Sequence, residues 1–293
     1  MILVVGSLLL NRTYRCERLP SECGCARAAV STEVGGCGGA VALAAVKAGA
    51  DAVLAAAVGD DVDARLLRSL VSESGLRTML SVCPDAPTGS SATFADDSDR
   101  YYRAEAHAAN ALFEAGPDVA RALEGADLLV VTCDANALAA ERLMKLASSR
   151  GIGTVLFAPE SANVAALKIL VPLADLVVVS DAGFSEIVRS HNALGTGDFA
   201  DEQLHALTDA KIGQLCRAAL KGDIAIMMGA RGVFVSQRDG SHKLVGADGR
   251  HIGGNARLTA TEKFVGRLSA EIERGQGLVS AVRKALSESD PAR

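Results

Sequence analysis

Four short stretches of the 293-residue chain carry residue types suited to handling a phosphate or a proton. Residues 195–200, GTGDFA, set two glycines and Asp198 at one turn. Residues 34–40, VGGCGGA, bracket Cys37 with Gly35, Gly36, Gly38 and Gly39 and lead into a helical pattern. Residues 229–232, GARG, hold Arg231 between Gly229 and Gly232, and residues 259–264, TATEKF, open a late helix with Glu262 in its first turn. Glycine lets backbone N–H groups approach an anion closely, and a helix N-terminus adds positive potential. A carboxylate at such a place can take the proton of an attacking hydroxyl.

Those turns need elements to hold them. Short apolar runs, ILVVGSLL, AVLAAAVG, DLLVVT, TVLFAP, DLVVVS and IAIMMG, have the β-branched content of buried parallel strands. Helical patterns lie between them at Gly39–Ala48, Val62–Ser74, Ala137–Ser149, Asn163–Val171 and Asp201–Ala219. Strand and helix in alternation predict a three-layer α/β sandwich, with a mostly parallel sheet covered on both faces and ligands at the carboxyl ends of its strands. Two segments break the rhythm: residues 11–34 are polar, and 88–104 alternate around a DDSD turn. They are expected to form a small β lid on a single domain spanning residues 1–293. GTGDFA falls on the connection between helical patterns near 182–190 and 201–219. A glycine stop followed by Asp198 or Asp201 capping the next helix accounts for it.

Composition narrows the function classes. Hydrophobic residues make up 49% of the chain and aromatics 3%, so the core rests on Ala, Val and Leu. The net charge of −5, with no long basic run, argues against nucleic acid or an anionic membrane as partner. The apolar N-terminus has no basic flank and no cleavage site, and is expected as a buried strand rather than a signal peptide. Cys16, Cys23 and Cys25 share one loop, but C-x6-C-x-C matches no common zinc spacing, so no protein-held metal is expected. Seven scattered cysteines fit reduced thiols and a cytoplasmic location.

In their order, VGGCGGAVALAAVKAGA, the strand ending in VGDD, AHAAN before a helix, MMGARGVFVS and the late helix from TATEKF resemble the ribokinase-like, or PfkB-type, carbohydrate kinases over essentially the whole chain. The resemblance implies ATP- and Mg2+-dependent phosphoryl transfer to a hydroxyl of a sugar or nucleoside. The family's G-A-G-D-x-F motif follows the paired strands around GARG, and GTGDFA precedes them. The matching position is therefore TATEKF, with Phe264 keeping the aromatic, Glu262 at the base, and Thr259, Ala260 and Thr261 in the anion hole. By the same resemblance Asn11, Gly35, Gly36, Gly38 and Gly39 would bind substrate, and Ser180, Gly229, Arg231 and Gly232 the nucleotide.

Several of these positions depart from the family pattern. Asn11 stands where the family has Asp, Ala40 where it has Asn, and Thr259 and Thr261 where it has glycine; Ser180 and Asp181 replace its N-x-x-E start. TATE also has the letters of a helix cap. Two readings follow: a kinase with a modified site, or a catalytically degenerate relative that works as a ligand-binding or regulatory protein. A third, outside the family, makes Cys37 a nucleophile, though the sequence places no His to activate it. Expected partners are a sugar-like or nucleoside-like small molecule and a second copy of the chain docked through the lid.

Overall fold

The computed structural model describes residues 1–21, 24–98, 100–159, 162–190, 204–246 and 260–287. The first part of the chain runs β1 (Ile2–Val5), β2 (Leu9–Cys16), β3 (Ala29–Gly35), α1 (Cys37–Lys47), β4 (Ala52–Val58), α2 (Val62–Ser74), β5 (Arg77–Val82), β6 (Ser90–Asp96) and β7 (Tyr101–Ala106). It continues with α3 (Pro117–Glu124), β8 (Leu128–Thr132), α4 (Ala137–Ser149), β9 (Gly153–Ala158), α5 (Val164–Leu170), β10 (Leu176–Ser180) and α6 (Asp181–Ser190). The last part holds α7 (Asp209–Ala219), β11 (Asp223–Met227), β12 (Val233–Ser236), β13 (His242–Val245), α8 (Ala260–Glu273) and α9 (Leu278–Ser287). GTGDFA, with Asp198, and Thr259 lie outside the described residues.

The continuous apolar runs make the central sheet, in the order β13-β12-β11-β10-β9-β8-β1-β4-β5. From β5 through β11 every neighbouring pair is parallel, and β12 and β13 add antiparallel at one edge. All seven residues of β4 are buried, as a strand covered on both faces requires. Alternate side chains feed two cores. Leu3, Val5 and Leu129 pack with Leu123, Leu143, Leu167, Ile187 and Leu215 of α3 to α7. Ile2, Val4 and Val130 pack with Val41, Leu67, Phe264, Leu268 and Val282 of α1, α2, α8 and α9. This is the three-layer sandwich the sequence predicts. Among the described residues no helix is long and apolar enough to cross a membrane.

Caps set the helix ends. Asp61 accepts from Ala64 N at 2.7 Å and also from Thr88 N at 2.7 Å, so it starts α2 and anchors the approach to β6. Three boundaries differ from the expectation. The opening apolar run splits at Gly6 and Ser7 into β1 and β2, which lie in different sheets. Helix α1 begins at Cys37 rather than Gly39, because Gly36 at φ 84° turns the chain straight into it. Helix α7 begins at Asp209, where Thr208 Oγ1 accepts from Lys211 N at 3.3 Å, and Leu204–Ala206 form a separate single turn.

The second sheet, β3-β2-β6-β7, is the small β lid. Its alternation separates two faces. Glu33, Asn11, Ser91 and Glu105 stand opposite one another on one face, and Val30, Tyr14, Phe94 and Tyr102 on the other. Tyr14 and Phe94 stack at 5.1 Å, while Val30, Phe94 and Tyr102 stay 56%, 46% and 71% exposed. The β6–β7 turn is clamped by Asp96, which is buried and accepts from Arg100 Nε at 3.0 Å, Arg100 Nη2 at 2.7 Å, Arg100 N at 3.1 Å and Ser98 N at 3.0 Å.

Burial alone would raise the Asp96 pKa, but the hydrogen bonds from Arg100, from Ser98 and from the Arg100 and Leu19 amides outweigh it and hold it down to about 2. A depressed carboxyl contributes stability above its unfolded value of 3.8 and loses that contribution as pH falls toward 2. Asp96→Asn should therefore lower the protection of β6 and β7 amides in hydrogen exchange at pH 6. The difference from wild type should shrink as pH is taken from 4 down to 2; a constant difference would show that the charge is not the source.

Candidate active site

Strand β1 pairs with β4 on one side and β8 on the other, so the order of the sheet reverses there. Such a reversal opens a crevice at the carboxyl ends of the strands, and ligands of open α/β sheets bind in it. Ser7 follows β1, Asp134 follows β8, and the glycine turn feeds α1 into the same space.

Close backbone contact puts α1 there. A Cβ on Gly38 would lie 2.7 Å from both C and Cα of Gly6, and one on Gly6 would lie 2.1 Å from Thr132 Oγ1. A Cβ on Gly36 would meet Ser7 O at 2.6 Å. Helix α8 comes as close from the other side, since a Cβ on Gly266 would lie 2.4 Å from Val41 O and 2.6 Å from the Ala44 Cβ.

These contacts bring three acidic or thiol side chains together. Asp134 accepts from the hydroxyls of Ser7 and Thr132, from Cys37 N at 3.3 Å and from Ser7 N at 3.4 Å. Its negative charge thus sits at the positive end of α1. Glu262, in the first turn of α8 with Ala260 and Thr261, places Oε1 3.9 Å from Cys37 Sγ. Burial raises the Glu262 pKa above the ordinary range; Arg103 opposes this, while Asp134 and Glu105 add to it. Burial pushes the Cys37 thiol up as well, and Asp134, Glu262 and Glu105 reinforce it. A thiol held protonated among carboxylates is a poor nucleophile, which speaks against the Cys37 reading.

The lid closes one side of this space. Arg103 and Glu105 of β7 pair at 2.6 Å, and His107 Nε2 lies 3.6 Å from Glu105 Oε2. That pairing lifts the imidazole pKa and lowers the Glu105 pKa. Asn11 is buried and donates from Nδ2 to Glu33 Oε1 at 2.9 Å, while its Oδ1 accepts from Ser91 Oγ at 2.8 Å. Asn11 and Gly35 line a cavity of about 380 Å³ that continues past Ala40 along α1 and α8. A Cβ on Gly39 would meet Leu8 Cδ1 at 3.2 Å and Val34 Cγ1 at 3.4 Å.

The residues expected at the nucleotide form a second group. Ser180 ends β10 opposite Met227 of β11, beside the turn into β12. That turn needs its glycines, since Gly229 has φ 57° and Gly232 φ 102°. Its closure is a hydrogen bond from Met228 N to Gly232 O at 2.8 Å. Ser180 Oγ accepts from Gly183 N at 3.1 Å and so starts α6, and Arg231 pairs with Asp209 at 3.2 Å. Two strand spacings separate β8 from β10, about 10 Å. Glu186 is a surface residue paired with Arg189. Among the described residues no group of three His, Cys, Asp or Glu side chains is placed to hold a metal ion.

Sequence reasoning singled out Glu262 and the glycine turn, which the structure brings within 3.9 Å of each other, but passed over Asp134, Ser7, Thr132, Arg103, Glu105 and His107. Asp134 had a usable signal, an acid two residues past a buried strand at the edge where ligands bind. The backbone crossing gives the first test of this arrangement. Gly38→Ala must push α1 off β1, and overpacking of this kind costs about 1–3 kcal/mol. A lowered unfolding midpoint is expected in denaturant titration; an unchanged midpoint would show that the two backbones are not in contact.

The chain matches the sequence pattern of the pfkB family carbohydrate kinases over residues 1–251, a stretch that ends before α8 and Glu262. No protein of curated function matches it in sequence. Among solved structures, a putative ribokinase from Agrobacterium tumefaciens is similar at TM-score 0.80 and 20% identity, over 97% of this chain and 88% of that one. Arabidopsis thaliana ribokinase, complexed with ribose and ATP, is similar at TM-score 0.75 and 16% identity, over 98% and 90% of the two chains. Anopheles gambiae adenosine kinase, in complex with P1,P4-di(adenosine-5) tetraphosphate, gives TM-score 0.74 and 16% identity over 98% and 93%. These likenesses establish the fold, and the match over residues 1–251 establishes that the chain belongs to the pfkB family of carbohydrate kinases.

Proposed function

We propose that the protein transfers the terminal phosphoryl group of ATP to a hydroxyl of a small sugar-like or nucleoside-like alcohol, with Glu262 as proton acceptor. The observation that carries this reading is Glu262 itself. It is a carboxylate at the start of α8, facing the glycine turn across 3.9 Å to Cys37 Sγ, with its pKa raised by burial. A raised pKa makes a carboxylate, once ionised, a stronger proton acceptor.

In this reading the backbone at Ala260 and Thr261 would face the charge that develops on the transferring group, as helix N-termini do. Asn11 and the turn through Gly35, Gly36, Gly38 and Gly39 would hold the acceptor, with Asp134 keeping the α1 terminus in place. The conformation of the turn at Gly229, Arg231 and Gly232, next to Ser180, suits a ligand lying close along the backbone at the sheet edge. Bound ATP supplies the phosphoryl group. Mg2+ keeps most of its water and leans on phosphate oxygens, so it needs few protein ligands, and the described residues offer no cage of their own.

Glu262→Gln should remove most of kcat while ATP binding by calorimetry stays within about twofold, since the acceptor is lost and the helix terminus is kept. Because the base must be ionised, the acid limb of kcat/KM should lie above the ordinary carboxylate range, with activity lost as pH falls through it. Absence of transfer to every sugar and nucleoside tried, with ATP binding intact, would favour the ligand-binding reading instead. The exposed row of Val30, Phe94 and Tyr102 supports a homodimer through the lid. Tyr102→Asp should then shift the sedimentation coefficient from dimer to monomer; a monomeric wild type would refute this.

A further inference from the structure

Four connections join the β lid to the rest of the chain, and three of them meet at Asn110. This buried side chain accepts from Leu8 N at 3.0 Å and donates to Leu8 O at 3.0 Å and to His107 O at 3.2 Å. Its backbone N–H donates to His107 O at 2.8 Å. Gly89, on the third connection, packs so closely that a Cβ there would lie 2.6 Å from Asn110 Nδ2. Ala108, directly after His107, has φ 45°, the one positive φ outside glycine among the described residues. An alanine adopts that conformation only where its surroundings hold it, and such residues gather in switch regions. Lid and sheet are therefore fastened at one knot, and His107 is the titratable side chain in it.

Charges face His107 from both sides of the knot. On the lid, Glu105 Oε2 lies 3.6 Å from its Nε2, and Glu105 Oε1 pairs with Arg103 Nη2 at 2.6 Å. From the sheet, Asp134, two residues past β8, attracts the imidazolium, while Arg103 opposes it. Behind these stand Glu262 and the Cys37 thiol, which burial keeps protonated. Leu8, Gly89 and Asn110 carry no charge. The Glu105 pairing outweighs burial and lifts the imidazole pKa, with Asp134 adding to it. The other ring nitrogen, Nδ1, is buried and has no hydrogen-bond partner among the described residues. A buried nitrogen left unmatched is uncommon, and water would satisfy it once the lid lifts. Charge, not complete hydrogen bonding, thus keeps this ring in place.

We infer that His107 is a pH-sensitive latch of the β lid: its protonated ring draws Glu105 of the lid and Asp134 of the sheet together, and its neutral ring lets the lid lift on the Asn110 knot. The inference concerns the lid alone and holds whether or not the site transfers a phosphoryl group. A histidine raised in the latched state contributes fully below its ordinary value of 6.5 and loses that contribution as pH rises through its raised one. Glu105, lowered by the same pairing, contributes above 4.5. The latch is therefore set near pH 6 and released on the alkaline side.

The test is hydrogen exchange of the full chain at pH 6.0 and pH 8.5, corrected for intrinsic rates, with the β8, β9 and β10 amides as internal reference. Relative to that reference, protection of the β6 and β7 amides should fall about two- to fivefold from the lower pH to the higher. This step lies well above the acid range in which Asp96 titrates. His107→Gln should remove the step and leave the lid amides near the wild-type value at pH 8.5. His107→Arg, charged at both pH values, should keep them near the wild-type pH 6.0 value throughout, a rescue that a merely structural role of the ring would not give. Unchanged reference protection shows that each variant is folded. A wild type without the step would overturn the inference before any variant is made. A step that survives in His107→Gln would overturn it too, as would a His107→Arg variant that behaves like His107→Gln.

Discussion

The candidate site depends on how closely α1 can approach its two neighbours. On one side Gly38 meets Gly6 with no room for a side chain, and on the other Gly266 of α8 meets Val41 and Ala44. Cys37 precedes Val41 by four residues and Glu262 precedes Gly266 by four, so each lies one turn ahead of the contact on the same helix face. The spacing that brings the two helices together at their glycine therefore brings the thiol and the carboxylate together at their N-termini. Backbone packing thus sets up their 3.9 Å approach, in which the Cys37 thiol donates to Glu262 Oε1.

The same packing separates two carboxylates by environment. Asp134 is taken up by Ser7, Thr132 and the Cys37 amide, and it acts on the position of α1. Among the described residues Glu262 has no comparable set of donors; burial dominates it and raises its pKa. Acid groups whose surroundings differ in this way can take different roles within one site. Here one holds the frame, and in the proposed transfer the other would exchange the proton.

Much of this was legible in the sequence because it is encoded locally. Buried parallel strands need continuous apolar runs, and helices announce their starts through residues such as Asp61, Asn136 and Asn163, each of which accepts from an amide of the turn it begins. Glycine spacing marked the turn before α1 for the same reason. Asp134 had only its place two residues past β8 as a mark: two of its partners, Cys37 and Ser7, lie 97 and 127 residues away, and only the fold joins them. Helix α7 was drawn too early because the acid and polar run before it resembles a first turn, while the cap that counts is Thr208. Glu262 was located through resemblance, since a Glu after two threonines in a helix start is equally good as a cap.

The lid shows how a residue far from the chemistry decides what the site contains. Side chains on a strand alternate faces, so a slip of one residue between β6 and β7 would exchange Arg103 and Glu105 for Tyr102 and Ala104. The inner face would then offer apolar groups to Asn11 and to the cavity, and the outer face would carry buried-type charge into water. Hairpin register is set at the turn. Asp96 fixes it there by accepting from the Arg100 amide and side chain and from Ser98, which ties the last residue of β6 to the residue before β7. A carboxylate whose contacts, the Leu19 amide apart, lie within its own turn thus selects the charge that any ligand meets under the lid.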